Sequence, residues 1–358
     1  MFRYNNRQVQ YLGQFLRFLD KVEVNMRILF DILHPAHLNF YKKTIRNLQA
    51  EHDITVLIRH RGDLVDFAKK EISIPFKVVG KHYGSRIGKL FGLFHRIAYL
   101  IWEGWKNPYD VATSHGGFYV SIASWITGKR SVVFYDNAEY KLLFFLCRRF
   151  SSKFMIPQLL GITGKNIGTF NGYKELAYLN RFKPEKEILK KYGVQKKKYV
   201  FIRQIAHISL DYWSDDSSQN MKTILDSLYE NKVSVIASVE EGAAQISEFR
   251  EFDNIYVLPE STSDMHTLLC YAKCVISSGD TVAREAALLG TPAIYIGGRD
   301  MKINSELMNL GRLNCPDVTE IIPTLKRMLC EEKDFSQQNT DWDDTTDVII
   351  QELIKYDG

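Results

Sequence analysis

The sequence predicts two doubly wound α/β domains, each a parallel sheet with helices on both faces, in which the two domains face a central cleft. Three observations lead there. From Met26 onward, short apolar runs rich in β-branched residues alternate with helix-length amphipathic segments, the pattern of strands buried on both faces. The alternation stops in a basic stretch at 182–198 (FKPEKEILKKYGVQKKK) and restarts at Tyr199. With 358 residues, 45% hydrophobic and 25% charged, the chain is long enough for about two domains and has an ordinary globular composition. Ligands of such domains bind at the carboxyl ends of the strands.

Taken in order, 27–32 (RILFDI) is a strand stopped by His34-Pro35. A helix over 38–49, a strand at 54–58, a helix at 63–70 and a short strand at 76–79 follow. Then come a long helix at 89–105, a strand at 111–114, a helix at 118–126 and a strand at 132–135. The second half reads as a strand at 199–203, a helix at 221–230 and strands at 233–238 and 255–258. It continues with a helix at 265–272, a strand at 274–277, a helix at 281–289 and a strand at 292–296. A tail helix over 345–355 follows an acidic run suited to a helix N-terminus. The expected division is an N-terminal extension at 1–25, a first domain at 26–181 and a linker at 182–198. A second domain spans 199–332, and the tail spans 333–358. Within the extension, Tyr11, Phe15, Phe18 and Leu19 recur at helical spacing.

Composition excludes several function classes. A net charge of +5 is too small to argue for nucleic acid. The five cysteines are odd in number and form no paired metal-ligand spacing, so neither a disulfide framework nor a zinc site is expected, and a reducing cytoplasm fits. His34 and His37 form an HxxH with no third ligand at a useful spacing. No signal peptide is evident, and no window is apolar enough to span a bilayer. The segment 81–106 is basic and aromatic. It reads either as an anionic-membrane dock or as a helix packed on its own sheet with a solvated basic face.

The strongest local signal is 274–296, CVISSGDTVAREAALLGTPAIYI. A buried strand ends in Ser277-Ser278-Gly279 and a helix opens at about Thr281. Unpaired N–H groups and the positive dipole end make such a turn an anion site, and Gly279 lets an oxygen approach the backbone closely. Glu285, further along the helix, is placed to accept from a ribose diol. Read from spacing alone, a serine-capped strand–turn–helix with no ligand is the commoner arrangement.

These residues resemble a known family. The segment 262–296 looks like the donor-nucleotide segment of GT-B glycosyltransferases, nearest in motif to the lipid-II-forming N-acetylglucosaminyltransferase of peptidoglycan synthesis. ILFDILHPAHL at 28–38 and DVATSHGGFYVSIASWITGKRSVVFYDNAEY at 110–140 are similar to that enzyme's first strand and turn and to its acceptor-side segment. From Met26 the chain also resembles an uncharacterised family of archaeal and bacterial GT-B-like proteins, through HPAHLNFYK, SRIGKL, GYKELAYL and SGDTVAREAALLGTPA. The UDP-N-acetylglucosamine 2-epimerases share the fold and a related Ser-Gly motif that is one residue shorter than the Ser278-to-Glu285 spacing.

The resemblance implies roles. Ser278, Gly279 and Thr281 would hold the donor diphosphate, Glu285 the ribose, and Met265 would lie by the base. His37 would be the catalytic group, with Asp136 as the other candidate base. His34, Gly116, Gly117, Tyr119 and Asn137 would line the acceptor side. Arg203 and Arg299 suit a diphosphate through bidentate hydrogen bonding. The implied reaction is inverting glycosyl transfer from a UDP-linked sugar to a glycan or lipid-linked acceptor. It needs no metal or other cofactor and takes place in the cytoplasm or at the inner membrane face. Two departures bear on specificity: RQIAHISLDYW at 203–213 replaces a Gly-rich loop, and Arg299 to Asn304 replaces a glutamine pair that reads the donor sugar. A sugar-nucleotide 2-epimerase and a non-catalytic nucleotide-binding protein of polysaccharide assembly are the alternatives.

Overall fold

The computed structural model describes residues 25–81, 83–205, 216–240, 246–259, 264–331, 335 and 340–355. Apart from Asn25, the predicted extension and its aromatic spacing lie outside the described residues, as does His207.

The first sheet contains β1 (Arg27–Ile32), β2 (Asp53–His60), β3 (Phe76–Lys81), β4 (Val111–His115), β5 (Arg130–Phe134), β6 (Lys153–Pro157) and β7 (Ile167–Phe170). Their spatial order is β3-β2-β1-β4-β5-β6-β7. β1 runs parallel to β2 and β4, β2 to β3, and β4 to β5. The connecting helices are α1 (Pro35–Leu48), α2 (Leu64–Glu71), α3 (Arg86–Lys106), α4 (Phe118–Thr127) and α5 (Lys141–Phe150). Local chemistry sets their ends. Ser85 caps α3 by accepting from Gly88 N at 3.1 Å, satisfying one of the N–H groups a helix start leaves unbonded. Gly128 closes α4 in the left-handed region at φ 66°.

Short helices α6 (Leu176–Leu179) and α7 (Glu187–Lys191) precede the second sheet. That sheet holds β8 (Tyr199–Gln204), β9 (Ser234–Val239), β10 (Ile255–Val257), β11 (Cys274–Ser277), β12 (Ala293–Tyr295) and β13 (Leu313–Asn314). The order is β10-β9-β8-β11-β12-β13, with every neighbouring pair parallel. Its helices are α8 (Asp216–Glu230), α9 (Ile246–Arg250), α10 (Met265–Tyr271), α11 (Asp280–Leu288), α12 (Ser305–Asn309) and α13 (Ile321–Cys330), and α14 (Thr345–Ile354) ends the chain. Alternation along the strands fills two cores. Tyr199, Phe201 and Val275 join one cluster, while Val200, Ile202, Cys274 and Ile276 join the other. A sheet buried on both faces needs such uninterrupted apolar strands.

The pattern predicts no element over 136–181, where the structure places α5, β6, β7 and α6. In the basic stretch 182–198, α7 forms, and Leu189 and Tyr192 are buried in the second sheet's core. By packing, the described chain separates into two compact units. One comprises 25–134, Leu146–Phe154 and 350–355; the other comprises Tyr135–Phe145 and Met155–Ile349.

Candidate functional site

In each sheet the strand order reverses once, between β1 and β4 and between β8 and β11. Loops leaving such a switch point are where open α/β sheets bind ligands. The predicted residues lie at these two points, in separate units, and in the loops after β5 and β12.

At the first point, His34 Nδ1 accepts from Ala36 N at 3.2 Å and so caps α1, whose first residue is Pro35. His37 lies in the first turn, its ring centroid 6.0 Å from that of His34 and 5.1 Å from that of His115, the last residue of β4. Gly116 follows at φ 61°, and Gly117 caps α4. A Cβ on Gly117 would lie 2.0 Å from Ser114 Oγ, whose hydroxyl donates to Asp31 O at 2.9 Å. Glycine is therefore required by packing. Tyr119 stacks on Phe118, and the Arg59 guanidinium lies 5.2 Å from its ring centroid. Sequence reasoning assigns no role to His115, although TSHGG contains it.

At the second point, the Ser-Gly turn is tied down by its own side chains. Ser277 Oγ accepts from Gly279 N at 3.1 Å and donates to Gly279 O at 2.6 Å. Ser278 Oγ accepts from Ile205 N at 2.9 Å, joining the ends of β8 and β11. Gly279 then caps α11, with Thr281 half-buried in the first turn. Gly297 closes on the turn so tightly that a Cβ there would sit 2.4 Å from Ser278 O. At the end of β8, Arg203 donates to Ser238 Oγ at 2.8 Å and lies 3.7 Å from Glu240. Half-buried Met265 opens α10 and packs on the core.

The loop after β5 meets the loop after β12 within this unit. Glu139 Oε1 accepts from Lys302 N at 3.2 Å. With its amide nitrogen facing Glu139 at 2.7 Å, Asn137 turns its oxygen to Arg299 at 3.1 Å. The Arg299 guanidinium lies 5.1 Å from the Tyr140 ring centroid. Asp136 Oδ2 accepts from Lys174 Nζ at 2.8 Å.

Beneath these loops is a buried charge network of which sequence reasoning singled out only Asp136. Arg284, fully buried, reaches Asp280 at 2.8 Å, Glu175 at 3.0 Å, Asn304 Oδ1 at 3.2 Å and Asp136 at 3.8 Å. Burial disfavours its charge, but Glu175, Asp280 and Asp136 outweigh burial and raise its pKa well above the usual value. Lys174 follows the same logic, with Asp136 and Glu175 overcoming burial. Asp280 in the first turn of α11 would set a carboxylate at the anion-binding end, and Arg284 holds it one turn down. The sequence signal is an arginine four residues after an aspartate on one helix.

Glu285, on the neighbouring face of α11, is 2% exposed. Tyr178 Oη donates to its Oε1 at 2.6 Å, and His266 Nε2 lies 3.4 Å from the same oxygen. Burial disfavours the carboxylate, but His266 and Tyr178 outweigh it and hold Glu285 below the ordinary carboxylate range. Glu285 Oε2 is buried and has no hydrogen-bond partner among the described residues. No cluster of three or more His, Cys, Asp or Glu side chains suited to a metal occurs among the described residues.

A family model described as Protein of unknown function (DUF354) matches residues 26–357. The chain belongs to the DUF354 family. No curated protein matches it. Among solved structures, this DUF354 chain is similar to the UDP-GlcNAc 2-epimerase from Neisseria meningitidis bound to UDP-GlcNAc. The two are 12% identical, with 92% of this chain and 100% of that one covered and a TM-score of 0.73. It is also similar to the Methanocaldococcus jannaschii UDP-GlcNAc 2-epimerase in complex with UDP-GlcNAc and UDP. Identity there is 13%, coverage 92% and 99%, and TM-score 0.71. The glycotransferase of kitacinnamycin matches at 12% identity, 92% and 95% coverage and a TM-score of 0.57. Two Rossmann-like parallel-sheet domains, shared with these enzymes, make the DUF354 chain a GT-B fold.

Proposed function

We propose that this chain transfers a sugar from a nucleoside-diphosphate donor, UDP-linked, to a hydroxyl of a glycan or lipid-linked acceptor, with inversion. The observation that carries the reading is Glu285: a buried carboxylate, held charged, with one oxygen lacking a donor among the described residues, on a helix that starts from the Ser-Gly turn at a switch point. A ribose hydroxyl supplies the missing donor. Ser278, Gly279 and Thr281 are assigned to the diphosphate at the α11 N-terminus, through the first-turn N–H groups, since Gly279 N–H already donates to Ser277 Oγ and Ser278 N–H to Arg203 O. Arg203 and Arg299 neutralise it in place of a metal. Met265 lies against the base. The motif likeness to the lipid-II-forming enzyme supports uridine as the nucleoside.

His37 is the proposed base for the acceptor proton, since imidazole is neutral and basic near pH 7. Asp136 is the alternative, but its engagement with Lys174 and Arg284 favours an orienting role. His34, Gly116, Gly117, Tyr119 and Asn137 are assigned to the acceptor. Titration calorimetry with UDP tests the donor site; no heat with any nucleoside diphosphate refutes it. His37→Ala is expected to lower turnover while leaving donor affinity nearly unchanged, and wild-type turnover would remove His37 as base.

A second reading, a UDP-N-acetylglucosamine 2-epimerase, is favoured by the fold likeness to such enzymes and by Asp136 and Glu139 in one loop. Each of these carboxylates is already engaged, Asp136 by Lys174 and Glu139 by Lys302 N, which leaves neither poised to move a sugar proton. Incubation with UDP-N-acetylglucosamine alone separates the readings, because only the epimerase yields the manno product. A non-catalytic nucleotide binder would show the heat of binding and neither product.

The proposed acceptor side includes an anionic membrane surface. No helix among the described residues is long and apolar enough to cross a membrane. Yet α3 turns Ile87, Phe91, Phe94, Trp102 and Trp105 to solvent, Ile87 at 83% and Trp105 at 69% exposure, with Lys81, Lys89 and Lys106 exposed around them. Apolar and aromatic residues rimmed by lysines suit interfacial docking. Flotation with anionic liposomes is expected for the wild type and not for a Phe91→Ala, Phe94→Ala, Trp102→Ala variant. Equal flotation would refute the dock.

A further inference from the structure

We infer that Tyr178 and His266 are positioning residues that commit one oxygen of Glu285 to the protein and leave only the other to read a ligand hydroxyl. The inference rests on the donor-site reading above. Tyr178 comes from α6, His266 from α10 and Glu285 from α11, three elements of one unit. Tyr178 Oη and His266 Nε2 both face Oε1, at 2.6 and 3.4 Å. The His266 ring is fixed between Tyr178 and Phe182, at centroid distances of 5.5 and 5.7 Å. The Tyr178 hydrogen bond commits Oε1, His266 Nε2 approaches the same oxygen, and Oε2 is buried with no donor among the described residues.

An unpaired buried acceptor penalises any ligand that fails to donate to it. The arrangement therefore selects a nucleotide whose sugar carries a hydroxyl at that point over its deoxygenated analogue. A carboxylate free to rotate would tolerate shifted or missing hydroxyls. Tyr178 and His266 would thus set discrimination, while the diphosphate contacts set most of the affinity.

The test is calorimetric affinity for UDP and for 2′,3′-dideoxy-UDP, measured on the full chain. The wild type is expected to prefer UDP by about tenfold or more, the effect of one lost hydrogen bond to a charged group. In Tyr178→Phe, which keeps the ring and removes the hydroxyl, the preference should fall to about threefold or less. His266→Ala, at a partly exposed position, provides a second variant should Tyr178→Phe fail to fold. Tyr271→Phe, which removes a hydroxyl donating to Pro184 O in the same unit, should keep the wild-type ratio. A merely structural role would lower thermal stability without moving the ratio. An unchanged preference in the folded variants overturns this inference alone. Wild-type binding of both nucleotides with equal affinity overturns it together with the ribose role of Glu285. No binding of either overturns the donor-site reading on which it stands.

Discussion

Glu285 illustrates how a single side chain acquires its chemistry from its neighbours. Burial alone would push its pKa up, and His266 and Tyr178 reverse that direction. Glu285→Ala removes the acceptor proposed for the ribose and is expected to weaken UDP binding by about 1–3 kcal/mol, the range for a hydrogen bond to a charged group. Calorimetry on wild type and variant checks this, and equal affinities would remove Glu285 from the ribose site. The residue was legible in the sequence because it follows Ser278 at a fixed spacing along one helix. Tyr178 was not, since it lies more than a hundred residues away and only folding brings it to 2.6 Å.

Among the elements, β1 and α3 are joined by a buried ion pair. Arg96 in α3, 1% exposed, bonds to the Asp31 carboxylate in β1 and donates to Val79 O at 2.5 Å. A charge inside an apolar strand breaks the pattern that predicted β1, and the arginine in the following long helix compensates for it. Arg96→Met keeps the bulk but strands Asp31, and the expected loss is about 3–5 kcal/mol of stability. Urea denaturation measures it, and a change under about 1 kcal/mol would show that Asp31 finds another partner. The strands β1–β5 and β8–β12 were readable because each is a short run rich in apolar residues, while β6, β7 and β13 went unpredicted. Over 136–181, β7 is only half-buried and α6 is a single turn held by its surroundings, whereas the apolar runs of α5 and β6 were overlooked. The long-helix prediction at 89–105 located α3 but left its outer face undecided. In the structure apolar residues face outward there, against the usual amphipathic rule.

For the molecule as a whole, buried tyrosines set the alkaline limit. Tyr41, Tyr173, Tyr178 and Tyr199 are all pushed above the ordinary value of 10.0, chiefly by burial. Once the pH passes about 10, the unfolded chain releases protons that the folded chain retains. Stability therefore falls as pH rises. Glu285 acts at the other end: its lowered pKa stabilises the fold above the ordinary 4.5, and that contribution disappears as pH falls through the folded value. Thermal melting is expected to be flat between these limits and to drop steeply above about pH 10. A flat profile to pH 11 would mean that these hydroxyls ionise without unfolding.

The sequence by itself determined the two parallel-sheet domains, the turns at their switch points and the Ser278–Glu285 spacing. Each depends on residues close together in the chain, where periodicity, glycine and capping chemistry act locally. Only the tertiary structure decided which side chains share a carboxylate. Lys174, Glu175 and Tyr178 come from one segment and His266 from another, both remote in sequence from the carboxylates and the arginine they meet, and their roles depend on burial and on distances of a few ångströms that no local pattern encodes.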